Sequence, residues 1–230
     1  MKKKKLMGLL LVCVVVIVVG IMQFRSSNIQ DKVSRPVKNQ TENKINTNAK
    51  SLVVYFSVPE TDNPNNMTRD EDNSTVVVDG KVLGNTEYLA TLISEKTKSD
   101  LFRLEPKKAY PTNHQELLQR AKDEMENDER VELKENIDLT NYDVIYLGYP
   151  IWNADLPPVI QTFLENNDFS NKTVIPFCSH GGSGLSKTPE TIKEKLKDSK
   201  VITNGFEIYR SDIEEASDEL DAWLKELNKE

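Results

Sequence analysis

Residues 143–148 read Asp-Val-Ile-Tyr-Leu-Gly, a strand-like run that is apolar from Val144 onward. A strand of this kind has to be covered on both faces, which places it in the middle of a parallel sheet with helices above and below. The rest of residues 51–230 alternates to match. Further strand-like runs fall at 51–57, 100–105, 172–178 and 201–209, the third of them interrupted by Pro176. Between them, apolar residues recur at helical spacing. Tyr88, Leu89, Leu92 and Ile93 mark a helix over 85–97, and Leu117, Leu118, Ala121 and Met125 form the inner stripe of one over 113–127. Pro157-Pro158 opens a third through Val159, Ile160, Phe163 and Leu164, with proline tolerated in the first turn. Residues 188–197 make a fourth, and 213–228 a fifth with Ile213, Ala216, Leu220, Trp223 and Leu224 inward. Five strands alternating with helices predict an α/β, doubly wound three-layer sandwich with right-handed crossovers.

The first strand ends in the hydroxyl of Ser57, and the first helix opens with Gly84-Asn85-Thr86. A buried strand that delivers a hydroxyl to a helix N-terminus is how such sheets hold phosphate, because the first turn's free N–H groups and the helix dipole both favour an anion. Here residues 58–83 separate the two halves, whereas connections of this type are a few residues long. The halves read as one cradle with an insertion in it, whose residues 82–83 stand where they could complete the cradle. Within it, Val76-Val77-Val78-Asp79-Gly80-Lys81-Val82-Leu83 predicts a hairpin turning at Asp-Gly. Its first half carries Asp62, Asp70, Glu71 and Asp72, but their spacing does not match a calcium loop of the EF-hand type.

The chain begins with Lys2–Lys5 and is then uncharged and apolar from Leu6 to Phe24. Nineteen residues of helix reach about 28 Å, close to the hydrocarbon thickness of a bilayer. The lysines in front predict a cytoplasmic N-terminus and an extracytoplasmic remainder. Residues 1–24 are therefore expected to be an uncleaved anchor. Signal-peptide cleavage near Val18-Val19-Gly20 is the alternative, which would release a secreted domain, and lipidation at Cys13 is disfavoured because Val12 precedes it. Residues 25–50 are polar, without apolar periodicity, and read as a disordered tether. Residues 51–230 then suit one domain. Ten of the 30 basic but two of the 37 acidic residues lie in positions 1–50, so residues 51–230 carry about −15. That field argues against nucleic acid; it suits a partner with a basic docking face, or equally a charge kept for solubility alone. The chain's two cysteines, Cys13 and Cys178, cannot pair if one lies in the anchor, so the exported domain must be held by its core or by a ligand.

In an open α/β sheet, ligands bind beyond the carboxyl ends of the strands. Three loops end there with unusual residues: Ser57 with Gly84, Asn85 and Thr86; Tyr149-Pro150-Ile151-Trp152-Asn153 after the third strand; and Ser179-His180-Gly181-Gly182-Ser183-Gly184 after the fourth. A phosphate cradle, an aromatic loop and a glycine-rich loop suit a flat, phosphorylated cofactor. Tyr149 and Trp152 offer faces for stacking, and the glycines let backbone N–H groups approach ring heteroatoms. Each piece also has a plainer reading, as a helix start, a core aromatic or a turn, and His180 reads as a structural hydrogen-bonder as readily as a ring contact. Gly-Gly-Ser-Gly-Leu lacks the last glycine of a hydrolase nucleophile elbow, and no Gly-Lys-Ser/Thr of a P-loop is present.

With these motifs, Gly-Tyr-Pro-Ile-Trp and Ser-His-Gly-Gly-Ser-Gly in that order, the chain resembles the flavodoxin family over residues 51–229. The resemblance implies FMN as cofactor, a five-stranded sheet of order 2-1-3-4-5 and redox chemistry. It puts Ser57, Asn85 and Thr86 on phosphate-binding positions and segments 149–153 and 179–184 on the two loops that contact the flavin. The implied role is electron transfer between protein partners; an NAD(P)H-dependent quinone or flavin reductase, or a non-redox adaptor on the same fold, are the alternatives. The chain departs from the family in its split phosphate loop and in His180, which stands where many flavodoxins present a stacking tyrosine.

Overall fold

The computed structural model describes residues 49–227. The expected anchor, residues 25–48 of the tether, and Cys13 lie outside them; among the described residues no helix is long and apolar enough to cross a membrane. Strand β1 (Ser51–Tyr55) leads into the insertion, which contains helix α1 (Arg69–Ser74) and strands β2 (Thr75–Val78) and β3 (Lys81–Gly84). Helix α2 (Asn85–Thr97), strand β4 (Asp100–Arg103) and helix α3 (His114–Glu126) follow. Then come β5 (Val144–Pro150), α4 (Pro158–Asn166), β6 (Thr173–His180), α5 (Thr188–Lys195), β7 (Lys200–Val201) and β8 (Phe206–Tyr209), and a 3-10 turn (Arg210–Glu215) leads into α6 (Ala216–Leu227).

The main sheet is parallel throughout, in the order β4-β1-β5-β6, with β7 and β8 both paired to β6. Side-chain parity builds the two cores. Leu52, Val54, Ile145, Leu147, Tyr149, Val174 and Cys178 face α3, α4 and α5. Val53, Tyr55, Val144, Tyr146, Ile175 and Phe177 face α2 and α6. The central strand is covered on both sides, as its composition requires.

The expected last strand, 201–209, is cut in two. Ile202 N–H donates to Val174 O at 2.9 Å, so by two-residue alternation Pro176 also faces this edge, where it has no N–H to give. β6 itself runs unbroken through Pro176, and the interruption appears in its neighbour instead. Gly205 fills the gap, since a Cβ there would collide with the Pro176 carbonyl.

The insertion folds as a separate two-stranded ladder pairing Thr75 with Gly84 through Val78 with Lys81. Its turn residues Asp79 and Gly80 both have positive φ, 51° and 77°, the geometry that Asp-Gly favours. Asp70, Glu71 and Asp72 fall in the first turn of α1, where Thr68 and Glu71 form a reciprocal capping box.

Candidate functional site

The first turn of α2 lacks a side-chain cap, because Gly84 occupies the N-cap position. Glycine is required there by space: a Cβ would run into Ser57 Oγ and come within 3.3 Å of Pro59 N. The uncapped N–H groups are therefore surrounded by buried polar side chains. Ser57 and Asn85 are 6% and 5% exposed, and Thr86 is 1% exposed. Thr86 Oγ1 and Ser179 Oγ hydrogen-bond at 3.2 Å, linking this end of α2 to the carboxyl end of β6, which runs on through Ser179 and His180. Asn85 Nδ2 donates to Asn73 O at 3.0 Å, while its Oδ1 is buried without a partner.

These groups form the deep end of an open crevice beyond the carboxyl ends of β1, β5 and β6. Ser57, Asn85, Thr86, Pro150, Ile151, Trp152, Asn153, Ser179, His180 and Gly181 all line it, so the three loops singled out in the sequence meet in one place. The insertion completes the wall through Val58 and Glu60 at its start and Asn73 and Ser74 at the end of α1, and not through residues 82–83. Gly84 lies just behind Ser57.

Four expected contact residues sit elsewhere. Tyr149 is fully buried, with its hydroxyl bonded to Thr188 Oγ1 at 2.9 Å, because β5 extends to Pro150 and turns this side chain into the core. It offers no stacking face. Gly182 uses its N–H on His180 Nδ1 at 2.9 Å, and Ser183 O accepts from Ser186 N–H at 3.2 Å. Gly182 and Gly184 have φ of 127° and 59°, so these glycines turn the loop away from the crevice. The same bond at Nδ1 puts the proton of the neutral imidazole on Nε2, which lies against the Glu207 carboxylate. His180 is thus a held ring at the wall, packed edge-on to Tyr209 with ring centroids 5.8 Å apart.

Trp152 is half-buried and braced edge-on by Phe56 at 5.4 Å and Tyr110 at 5.1 Å. Tyr110 is fixed in turn by Glu124 Oε2 at 2.5 Å and by Arg120 stacked 4.0 Å over its ring. The Trp152–Asp155 turn is tight, and its central residues Asn153 and Ala154 have φ of 47° and 60°. An alanine at positive φ is strained, as at many binding loops.

Helix α3 contributes a wall that the motifs did not announce: His114, Leu117, Leu118 and Ala121. Leu118, expected on the inner stripe, is 49% exposed and borders the crevice. Arg210 lies opposite, its guanidinium against Gly181, and Glu60 enters from the insertion to bond His114 Nδ1 at 2.8 Å. Burial holds the Glu60 carboxyl above its usual range, the His114 bond pulls it back, and Asp70 and Glu71 push it up again. Cys178 is buried beneath the site, and burial pushes its thiol far up, so it is not a reactive group.

The residues fit a flat phosphate monoester. The uncapped turn and hydroxyls suit the phosphate, the unpartnered Asn85 Oδ1 suits a hydroxyl donor on a linking chain, and Trp152 with Ile151 and Gly181 suits a ring.

A family model described as Flavodoxin matches residues 75–227. Similar solved structures include a protein from Bacteroides uniformis, provisionally classed as a flavoprotein, at 25% identity; the match covers 75% of this chain and 98% of that one, with a TM-score of 0.55. Another, similarly classed, from Bacteroides eggerthii is 24% identical over 78% of this chain and 98% of its own, at a TM-score of 0.54. A flavoprotein in complex with FMN from Lactobacillus acidophilus is 22% identical, over 74% of this chain and 99% of its own, at 0.48. No curated protein matches the chain.

Proposed function

The chain belongs to the flavodoxin family, and from that premise we propose that it is an FMN-binding redox protein that passes electrons between protein partners. The observation that carries this reading is the uncapped N-terminus of α2, ringed by buried hydroxyls at the deep end of a crevice that all three loops reach. When bound, FMN supplies a heterocycle that accepts and gives up electrons. The chain's own residues hold it: first-turn N–H groups with Ser57 and Thr86 at the phosphate, Asn85 at the ribityl chain, and Trp152, Ile151 and Gly181 beside the ring. The acidic field of residues 51–230 supports docking to basic protein faces.

The purified full chain should take up FMN, turn yellow and quench the flavin's fluorescence; no uptake at micromolar concentrations would sink the reading. Thr86→Val leaves Ser179 Oγ without this partner and removes a hydroxyl from the cradle, at a cost of about 1–3 kcal/mol in FMN binding, or roughly 5- to 150-fold in Kd. Sustained NADPH oxidation with a quinone by the chain alone would replace the carrier by a reductase.

The apolar run 6–24 behind Lys2–Lys5 supports a location on the outer face of a membrane. A flavoprotein there has no direct access to cytoplasmic NADPH and needs a membrane conduit or an exported partner. Protease added to intact protoplasts should remove the folded domain; complete protection would reverse the orientation.

A further inference from the structure

At its phosphate end the crevice contains an ionisable pair that FMN binding as described does not use. Glu60 lies three residues past Ser57, with 8% of its side chain exposed, and its carboxylate contacts Nδ1 of His114, the first residue of α3. Glu60 N–H donates to Ser74 Oγ at 3.2 Å, and Ser74 lines the same end of the crevice as Ser57, Asn85 and Thr86. A carboxylate is thus buried beside the place suited to a phosphate dianion. Two such charges repel in a poorly solvated site unless a proton offsets one of them. His114 is 29% exposed, and among the described residues its Nε2 has no hydrogen-bond partner.

The surroundings make that proton matter. Asp70 and Glu71 from α1 act on Glu60, and Glu116 shares the first turn of α3 with His114. Outside the lining, the Glu207 carboxylate lies against His180 Nε2, and Glu87 pairs with Arg103 at 3.4 Å, whose guanidinium also donates to Ser57 O. Arg210 is the one Lys or Arg among the described lining residues.

We propose that Glu60 and His114 form a proton-linked gate for a phosphate monoester: the phosphate end of the crevice is filled with a proton on the pair, and loses its ligand as that proton leaves. The proposal rests on the flavin reading and adds its regulation. With Glu60 ionised, a protonated His114 makes the pair neutral, whereas a neutral His114 leaves it at −1 against the phosphate. Binding and protonation then favour each other reciprocally.

The test is the Kd of the full chain for FMN, followed by flavin fluorescence from about pH 5.5 to pH 8.5, where imidazoles titrate. Wild type should weaken by about tenfold or more across this range, a coupling of ordinary size for a linked site. His114→Asn, which keeps a donor near Nδ1 but cannot be charged, should bind as wild type does at the alkaline end and lose the extra slope. Glu60→Gln should bind more tightly than wild type at alkaline pH. Riboflavin, without a phosphate, should show no such slope. Equal slopes for wild type and His114→Asn, or for FMN and riboflavin, would overturn the gate. The chain has two histidines, which makes the apo protein's imidazole titration readable by NMR. If FMN binds at no pH, the flavin reading fails; the gate still requires inorganic phosphate to move the His114 titration upward, and an unmoved titration overturns it.

Discussion

Glu124→Ala is expected to lower stability by about 3–5 kcal/mol, the usual consequence of stripping one partner from a buried ion pair. Glu124 lies on the inward face of α3, one turn beyond Ala121, with 8% of its side chain exposed. Its carboxylate holds Arg120 Nε at 2.7 Å and accepts the Tyr110 hydroxyl. Arg120, 16% exposed, also donates to the carbonyls of Ala109 and Lys108. Removing Glu124 leaves a partly buried guanidinium without its counter-charge and a buried phenol without its acceptor. For a domain of this size the melting temperature should fall by roughly 6–20 °C. The double change Arg120→Met with Glu124→Leu should recover much of the loss, because no unpaired charge remains. A single variant that melts within about 2 °C of wild type would show the pair to be dispensable. Because Tyr110 braces Trp152, Glu124→Ala should also weaken FMN binding in the fraction that remains folded.

The second large effect is expected at Gly148. A Cβ there points into the ring of Phe177 on the adjacent strand, and Phe177 is fully buried. The ring has no solvent to swing into, so Gly148→Ala should cost about 3 kcal/mol through overpacking, or about 6–12 °C in melting temperature. Phe177→Leu placed beside it should restore part of the stability by vacating the ring's volume. If Gly148→Ala melts like wild type, β5 and β6 have more freedom to separate than their register implies.

The strands and helices were legible because burial leaves a period in the sequence. The apolar run at 144–148, the helical stripes, and the Asp79-Gly80 turn all became the elements they suggested. The broken edge was not, because Pro176 acts through a missing donor on its neighbour while leaving its own strand intact. Tyr149 was misplaced for a related reason. Ending the strand at Gly148 made it a loop residue, whereas the parity of Ile145 and Leu147 carries it into the core. The three loops could be read as a site since each holds glycines or aromatics that strands and helices do not need. Glu60 and His114 could not be paired in advance: 54 positions separate them, and an acidic residue in a polar insertion looks like a solvated one. The remaining signal was an apolar surplus on α3, where Leu118 stands outside the buried stripe.

The interrupted edge has a consequence for behaviour in a crowd. Unpaired strand edges recruit other chains, and long flat ones seed aggregates. Here one margin of the main sheet is β4, four residues long and bounded by Asp100 and Arg103, and the other is severed between Val201 and Phe206. Neither offers a run long enough to zip with a neighbour. Neither edge would template a neighbour's strand even at high local concentration, and the net charge of about −15 on residues 51–230 adds repulsion between copies.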